Sequence, residues 1–557
     1  MRNMNFRLNW DFYARCALAV AAFLFVLYRV FNVNMIGDEW GMLKDSIKPG
    51  LEALITFQHK DTQSHFLQGL CAIPFFKFLP FEEIVSVRFA SLLMFPVYAW
   101  AGFRFSKLFE EKWFRVLFFA SWIGPEIVLE YFGLGRGYAF LLAGFGVSFL
   151  GLLESYSPMN SPEKRDFWTK VSILAAACAM LALLTFSYGY FMITVFLLAR
   201  YWQETEGNLK AKLTAVFKRG SFVIWTGIIL FVFFLPRYLV LKQMSVMQWG
   251  GTNNFVSDTF VSVIGCAAYI DSFCSKTVFI IGLTVFAVCL MDLLYWISVE
   301  IESLHYPGKY IYLPYKRFSL SVLFLFGIVV ISQLAFWVFN MQFPLERTML
   351  YLWPAIVLLA GFTWERYYSG PIRWLNVLML CGILGMNICS YNTYRTYKDQ
   401  KDAQNREIAF TLRELSAANE KPLVVGMSDS LRYTIWYYLE NDYDDMPVHP
   451  QLKNHPVFEL HGNRLFTYSL NYGYQQMEKP SWHYCPGTDY YLIYPHEPTC
   501  ETLNKQLMEL EPVKYFEKSD VTLYKAKQLD KPAGHNSKQC MICGGLNEIA
   551  GALGKTN

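Results

Sequence analysis

The chain has 557 residues, 54% of them hydrophobic and 18% aromatic, with a mean hydropathy of +0.24. A soluble chain of this length would split into several domains of more ordinary polarity, so the composition points to a polytopic membrane protein with a soluble tail. Lys and Arg exceed Asp and Glu by only 49 to 45, a formal charge of +4. That is too little to argue for a nucleic-acid partner, and the placement of the basic residues matters more than their sum.

Arg2, Arg7 and Arg15 precede or open a first apolar run, Phe12 to Phe31. At about 20 residues it is long enough to cross a bilayer core of roughly 30 Å. Asn32-Val33-Asn34 offers no small-residue cleavage site, so the run reads as a retained span. Further apolar runs lie at 66 to 80, 84 to 105, 114 to 132, 136 to 154, 171 to 202, 220 to 240, 277 to 298, 318 to 339, 349 to 364 and 373 to 391. The 171 to 202 run is long enough for two short spans, with Ser187-Tyr188-Gly189-Tyr190 as the turn. The 66 to 80 run, interrupted by Pro74 and Lys77, is expected not to cross fully, which gives about eleven spans.

Basic clusters mark the connections expected in the cytoplasm. They hold Arg104, Lys107, Lys112 and Arg115; Lys164, Arg165 and Lys170; Lys210, Lys212, Lys218 and Arg219; Lys309, Lys316 and Arg317; and Arg366 with Arg373. The opposite, outer face then receives residues 32 to 65, Phe132 to Tyr138, the Tyr188 turn, 241 to 276, Asn340 to Arg347 and everything after about 391.

From about Tyr394 the periodicities change, and strand and helix patterns alternate. Helical spacing is read over Asn405 to Asn419, Ser430 to Leu439 and Leu503 to Leu510. Strands are read at Pro422 to Met427 and Tyr490 to Tyr494, with a hairpin over Val513 to Tyr524. The expected domains are therefore a membrane domain (1–391), an extracytoplasmic α/β domain (392–529) and a poorly ordered tail (530–557).

Of the 12 cysteines, several sit in apolar runs as small apolar residues. Cys266 with Cys274, and Cys485 with Cys500, lie in polar segments where disulfides stay open, and Cys540 and Cys543 form half a zinc-site spacing with no second half. There is no Gly-rich phosphate loop, no HExxH and no GxSxG.

The residues that could carry chemistry collect on the expected outer face. Asp38 and Glu39 follow the first span, and neighbouring carboxylates raise one another's pKa, so one can serve as a base. Otherwise the pair is a solvated loop. His59 and His65 bracket a polar run, and either is a proton shuttle, a hydrogen-bond donor to sugar or phosphate, or an interfacial residue.

In Leu129 to Tyr138 the glycines permit a tight turn while Arg136 either grips a phosphate or snorkels. Glu126, after Gly124-Pro125, is an intramembrane carboxylate, and so a functional group or the partner of a nearby arginine. Glu346 and Arg347 either pair with each other or offer a second cation, to which Arg237 and Lys242 would add.

Cations for a phosphate, aromatics for sugar or lipid and a carboxylate for a hydroxyl suit a polyprenyl-phosphate-linked sugar. No cofactor is expected. A divalent cation on Asp38-Glu39 stays open, since two adjacent carboxylates are not by themselves a recognisable cage.

Taken in order, these residues resemble a known family. The N-terminal span, Asp38-Glu39, His65 opening the next apolar stretch, Ser86-Val87-Arg88-Phe89-Ala90-Ser91-Leu92, Arg136-Gly137-Tyr138 and Pro344-Leu345-Glu346-Arg347 look like the GT-C fold glycosyltransferases. Within these the likeness is to the bacterial dolichyl-phosphate-mannose-mannosyltransferase-like (family 39-like) proteins, akin to protein O-mannosyltransferases and lipid A aminoarabinose transferases.

The resemblance covers about residues 10 to 391. It implies a GT-C fold, a polyprenyl-phosphate sugar donor and a lipid, glycan or protein acceptor. Asp38 would be the acceptor-activating base with Glu39 beside it, Arg136 and Arg347 would bind the donor phosphate, and His65, Tyr138, Glu126 and Glu346 would support them. Ser64-His65-Phe66-Leu67 stands where the family more often has His-Pro-Pro-Leu, which leaves the role of His65 and the acceptor class open.

The expected protein is thus an inverting glycosyltransferase of a bacterial cytoplasmic membrane, with its N-terminus in the cytoplasm and its C-terminal domain outside. The absence of an Asn-x-Ser/Thr sequon is compatible with that source. The alternatives are a transporter or flippase of an amphipathic substrate, which should show repeated halves and ionisable groups at mid-membrane, or a scaffold, for which Asp38 and Arg136 would have no purpose.

Overall fold

A computed structural model describes residues 9–57, 65–243, 250–270, 275–305, 313–366, 370–397, 400–419, 423–427, 429–440, 458–461, 465–469, 489–495 and 508–528. The calls on His59, Cys274, Cys485, Cys500, Cys540, Cys543 and the tail lie outside those residues, as does the side chain of Lys242. Contacts divide the chain into two compact units, Met1–Phe31 with Gly41–Thr393, and Asn32–Trp40 with Tyr394–Asn557.

The first unit is helical. In chain order its helices are α1 (Trp10–Asn32), α2 (Gly37–Met42, opened by residues of the second unit), α3 (Leu51–Thr56), α4 (Phe66–Phe78), α5 (Glu83–Leu92), α6 (Met94–Ser106), α7 (Lys112–Ile123), α8 (Glu126–Phe132) and α9 (Tyr138–Tyr156). They continue with α10 (Pro162–Ala182), α11 (Ser187–Glu204), α12 (Leu209–Arg219), α13 (Ser221–Gln243), α14 (Val261–Ala267), α15 (Ser275–His305), α16 (Leu313–Phe339), α17 (Leu352–Arg366) and α18 (Pro371–Ser390).

Among the described residues seven stretches are long and apolar enough to cross a bilayer: α1, α5 with α6, α9, α13, α15, α16 and α18. The protein is therefore a polytopic helical membrane protein. The other runs counted toward eleven form shorter or more polar helices. α4, in the run left out of the eleven, has 13 residues that extend about 20 Å, short of a roughly 30 Å hydrocarbon core. The 114 to 132 run breaks where Pro125 cannot donate, leaving α7 and α8 with 12 and 7 residues. α10 opens with Pro162-Glu163-Lys164-Arg165-Asp166, capped by Ser161, whose Oγ accepts the Lys164 N–H. The turn between α10 and α11 falls at Leu183–Phe186, just ahead of the expected Ser187–Tyr190, which instead forms the first turn of α11.

α9 is enclosed by its neighbours. Ser148 Oγ donates to the Ser172 carbonyl at 2.8 Å, and Ser172 Oγ returns the bond to the Ser148 carbonyl at 2.7 Å. A Cβ on Gly144 would come within 2.8 Å of the Ala175 carbonyl oxygen, so this close α9–α10 approach needs small residues, as helix pairs in lipid commonly do. On its other flank Tyr98 and Trp122 stack at 4.9 Å and exchange hydrogen bonds through each other's carbonyls.

The second unit is an α/β domain. Its helices α19 (Asn405–Ala418) and α20 (Asp429–Glu440) accompany one six-stranded sheet. The strands are β1 (Leu423–Met427), β2 (Phe458–His461), β3 (Leu465–Ser469), β4 (Asp489–Pro495), β5 (Met508–Phe516) and β6 (Val521–Gln528), in spatial order β2-β3-β1-β4-β6-β5. β1 is central and parallel to both neighbours, which matches its apolar sequence.

β5 and β6 form the expected hairpin, but β5 begins at Met508, so the helix read over Leu503–Leu510 ends in strand; residues 501–507 lie outside the described ones. Pairing with β6 overrides the local helical spacing there. Lys514 on β5 reaches Glu407 of α19 at 3.0 Å, a hydrogen bond that holds the Glu407 carboxyl below its ordinary range.

Candidate functional site

In the first unit the polar side chains converge where α1, α8, α14 and the end of α18 meet. The Gly124-Pro125 break leaves the first N–H of α8, on Glu126, without a helical partner, and the Asn387 Oδ1 accepts it at 2.6 Å. Glu126 is fully buried and pairs with Arg29 of α1 at 3.4 Å, while Glu130, one turn later, pairs with the same guanidinium at 3.3 Å. Asn392 donates both its backbone and side-chain N–H to Glu126 Oε1, at 3.0 and 2.6 Å, and its carbonyl accepts from Arg29 at 2.7 Å. The Tyr269 hydroxyl donates to Glu130 Oε2 at 2.9 Å.

Glu126 is thus the partner of an arginine, one of its two sequence readings. Arg29, Tyr269, Asn387 and Asn392 escaped that reading. The available signal was Arg29 itself, a cation inside the last turn of a membrane span.

Next to this network Glu130 leads into Tyr131, and the turn Gly133–Gly137 brings Arg136 and Tyr138 alongside. Arg136 is buried, with its guanidinium 5.5 Å from the Tyr138 ring. Tyr138 packs on Tyr131 at 4.2 Å and on the His65 ring at 5.5 Å, and His65 Nδ1 lies 3.0 Å from the Ala182 carbonyl.

Gly137 is what allows this approach: a Cβ there would lie 2.4 Å from the Ala182 carbonyl oxygen and 2.9 Å from His65. Backbone cannot yield as a side chain end can. Gly137→Ala is expected to destabilise the protein by about 1 to 3 kcal/mol, read as a lower thermal midpoint in detergent; an unchanged midpoint would show that the turn relaxes.

The loop bearing Glu346 and Arg347 is fixed by its neighbours. Gly251 and Phe343 exchange backbone hydrogen bonds of 2.9 Å, Thr259 donates to the Pro344 carbonyl at 2.6 Å, and Thr185 to the Thr348 carbonyl at 2.6 Å. Glu346 itself has φ 47°, left-handed backbone that residues with a Cβ seldom adopt, and its N–H is held by Ser262 Oγ at 2.8 Å. Such strain, of about 1 to 3 kcal/mol, tends to gather at functional sites. Arg237 is occupied elsewhere, donating to the Ile55 carbonyl at 2.7 Å with Phe233 3.7 Å from its guanidinium.

Asp38 and Glu39 group with the second unit. Asn34 donates to the Ala403 carbonyl at 2.6 Å, the Met35 N–H to the Tyr438 hydroxyl at 2.8 Å, and Trp40 packs on Tyr437 at 6.0 Å. The Gly37 N–H donates to Asp402, a buried carboxylate anchored also by Asn405 and absent from the sequence reading. Glu39 is buried and its Oε2 accepts the Ile36 N–H at 3.3 Å, whereas Asp38 keeps part of its surface exposed. Among the described residues no group of three or more His, Cys, Asp or Glu is gathered as a metal cluster. Cys266 is buried at the end of α14.

No family model matches the chain, and no curated protein matches it. Among solved structures it is similar to ArnT from Cupriavidus metallidurans in the apo state, at 9% identity and a TM-score of 0.38, over 92% of this chain and 97% of that one. ArnT bound to undecaprenyl phosphate gives 11%, 0.37, and the same 92% and 97%. The oligosaccharyltransferase AglB from Archaeoglobus fulgidus, in complex with an inhibitory peptide and a dolichol-phosphate, gives 11% and 0.39 over 94% and 75%. At these scores the likenesses assign neither family nor fold.

Proposed function

We propose that the protein is a GT-C-type membrane glycosyltransferase that moves a sugar from a polyprenyl phosphate to a lipid, glycan or protein acceptor. The reading places it in a bacterial cytoplasmic membrane with its α/β domain on the outer side. One observation carries it: the buried Arg136 guanidinium lies 5.5 Å from the Tyr138 ring, which packs in turn on the rings of His65 and Tyr131. A buried guanidinium beside aromatic faces suits a phosphate joined to a sugar, and Arg347 would supply the second cation.

In this mechanism Asp38 takes the proton of the acceptor hydroxyl as its oxygen attacks the anomeric carbon. The bond from that carbon to the phosphate oxygen breaks with inversion, and the lipid phosphate leaves with its charge offset by Arg136 and Arg347. Glu39, committed to backbone, shapes the loop that presents Asp38.

The test is transfer of radiolabelled sugar by purified protein in lipid, across a panel of polyprenyl-phosphate sugars. Wild type should transfer from at least one donor. Arg136→Gln and Arg347→Gln should each lower kcat/KM roughly ten- to hundredfold, the value of a charge-assisted hydrogen bond. A folded protein that transfers from none of them, yet moves such a lipid between leaflets, would overturn the enzyme reading in favour of transport.

A further inference from the structure

The basic connection between α11 and α13 has no part in the proposed reaction, yet it folds into a defined surface. After Gly207, at φ 112°, Asn208 caps α12 by accepting the Ala211 N–H at 3.0 Å. No residue of α12 is buried. Its inner side rests on the protein through Ala211, Ala215 and Val216, all half-buried. Its outer side carries two parallel ridges at four-residue spacing. One is Leu209, Leu213 and Phe217, which are 64, 43 and 65% exposed; the other is Lys210, Thr214 and Lys218. Lys212 lies across the inner flank with its ammonium 5.6 Å from the Trp202 ring, and Arg219 is engaged by Glu204 at 3.2 Å.

An apolar ridge edged by lysines on a helix without a buried face is the pattern of a helix lying in the headgroup layer. Its place in the chain fits. Gly220 alone separates α12 from α13, a membrane-spanning candidate that is mostly unburied, with Trp225 and Ile229 62 and 65% exposed. A helix joined by one residue to a lipid-facing span stays at the bilayer edge.

We propose that α12 is an interfacial helix that binds anionic phospholipid headgroups through Lys210 and Lys218 while Leu209, Leu213 and Phe217 enter the acyl boundary. The anionic lipid follows from the charge: both exposed charges on the outer face are positive, and each near a negative surface contributes about 1 kcal/mol, or roughly fivefold in binding.

The test is hydrogen exchange of the full chain in phosphatidylcholine nanodiscs with and without phosphatidylglycerol. Amides of α12 should exchange more slowly with phosphatidylglycerol, by more than about tenfold for two lysines, and K210Q/K218Q should abolish that difference. L213S/F217S should speed α12 exchange in both lipids, while unchanged α13 amides report that each variant is folded. Equal exchange in the two lipids would overturn the proposal. So would slowing that needs an added acidic protein rather than lipid.

Discussion

Asp38→Asn is expected to lower sugar transfer by about 10²- to 10⁴-fold, the usual contribution of a general base. The amide keeps the carboxylate's shape, and the loop around it is held by other groups: Asn34 on Ala403, Met35 on Tyr438 and Gly37 on Asp402. The melting midpoint of the variant, measured beside its rate, separates lost chemistry from lost folding. Because the proton moves only in the transition state, kcat and kcat/KM should fall together. Glu39→Ala is expected to act differently. Glu39 is buried and accepts the Ile36 N–H, so its loss should lower stability before chemistry. Initial rates in reconstituted lipid decide the matter, and equal rates for wild type and Asp38→Asn would remove Asp38 from the mechanism.

Arg29→Met should be the most damaging single change to the membrane unit, at about 3 to 5 kcal/mol. Arg29, Glu126 and Glu130 are all at most 2% exposed, and removing the guanidinium takes from two neighbouring carboxylates the cation that both pair with. Tyr269 and Asn392 still donate to them, but neutral donors do not offset buried charge of one sign. The triple variant R29M/E126Q/E130Q should recover much of the loss, because a network replaced as a whole costs far less than one broken in part. Thermal unfolding in detergent, compared across the single and triple variants, measures this. A single variant as stable as wild type would show that the carboxylates are held by their other donors alone.

The sequence alone determined what depends on neighbours in the chain. Long apolar runs became α1, α9, α13, α15, α16 and α18 because a helix satisfies its own backbone and needs only local composition to suit lipid. β1, β4, the β5–β6 hairpin, α19 and α20 were legible for the same reason: their apolar periods are local.

Tertiary structure decided what depends on distant partners. Arg29 meets carboxylates 97 and 101 residues away, which no period encodes. Met508–Leu510 follow β6 rather than their own helical spacing, since pairing gives each backbone group a partner. Asp38 and Glu39 read from sequence as the mouth of a membrane span. What the sequence did not show is that their segment groups with an α/β unit whose anchoring residues lie more than 360 positions later, because Tyr438, Ala403 and Asp402 satisfy backbone and side-chain groups that the short loop cannot satisfy itself.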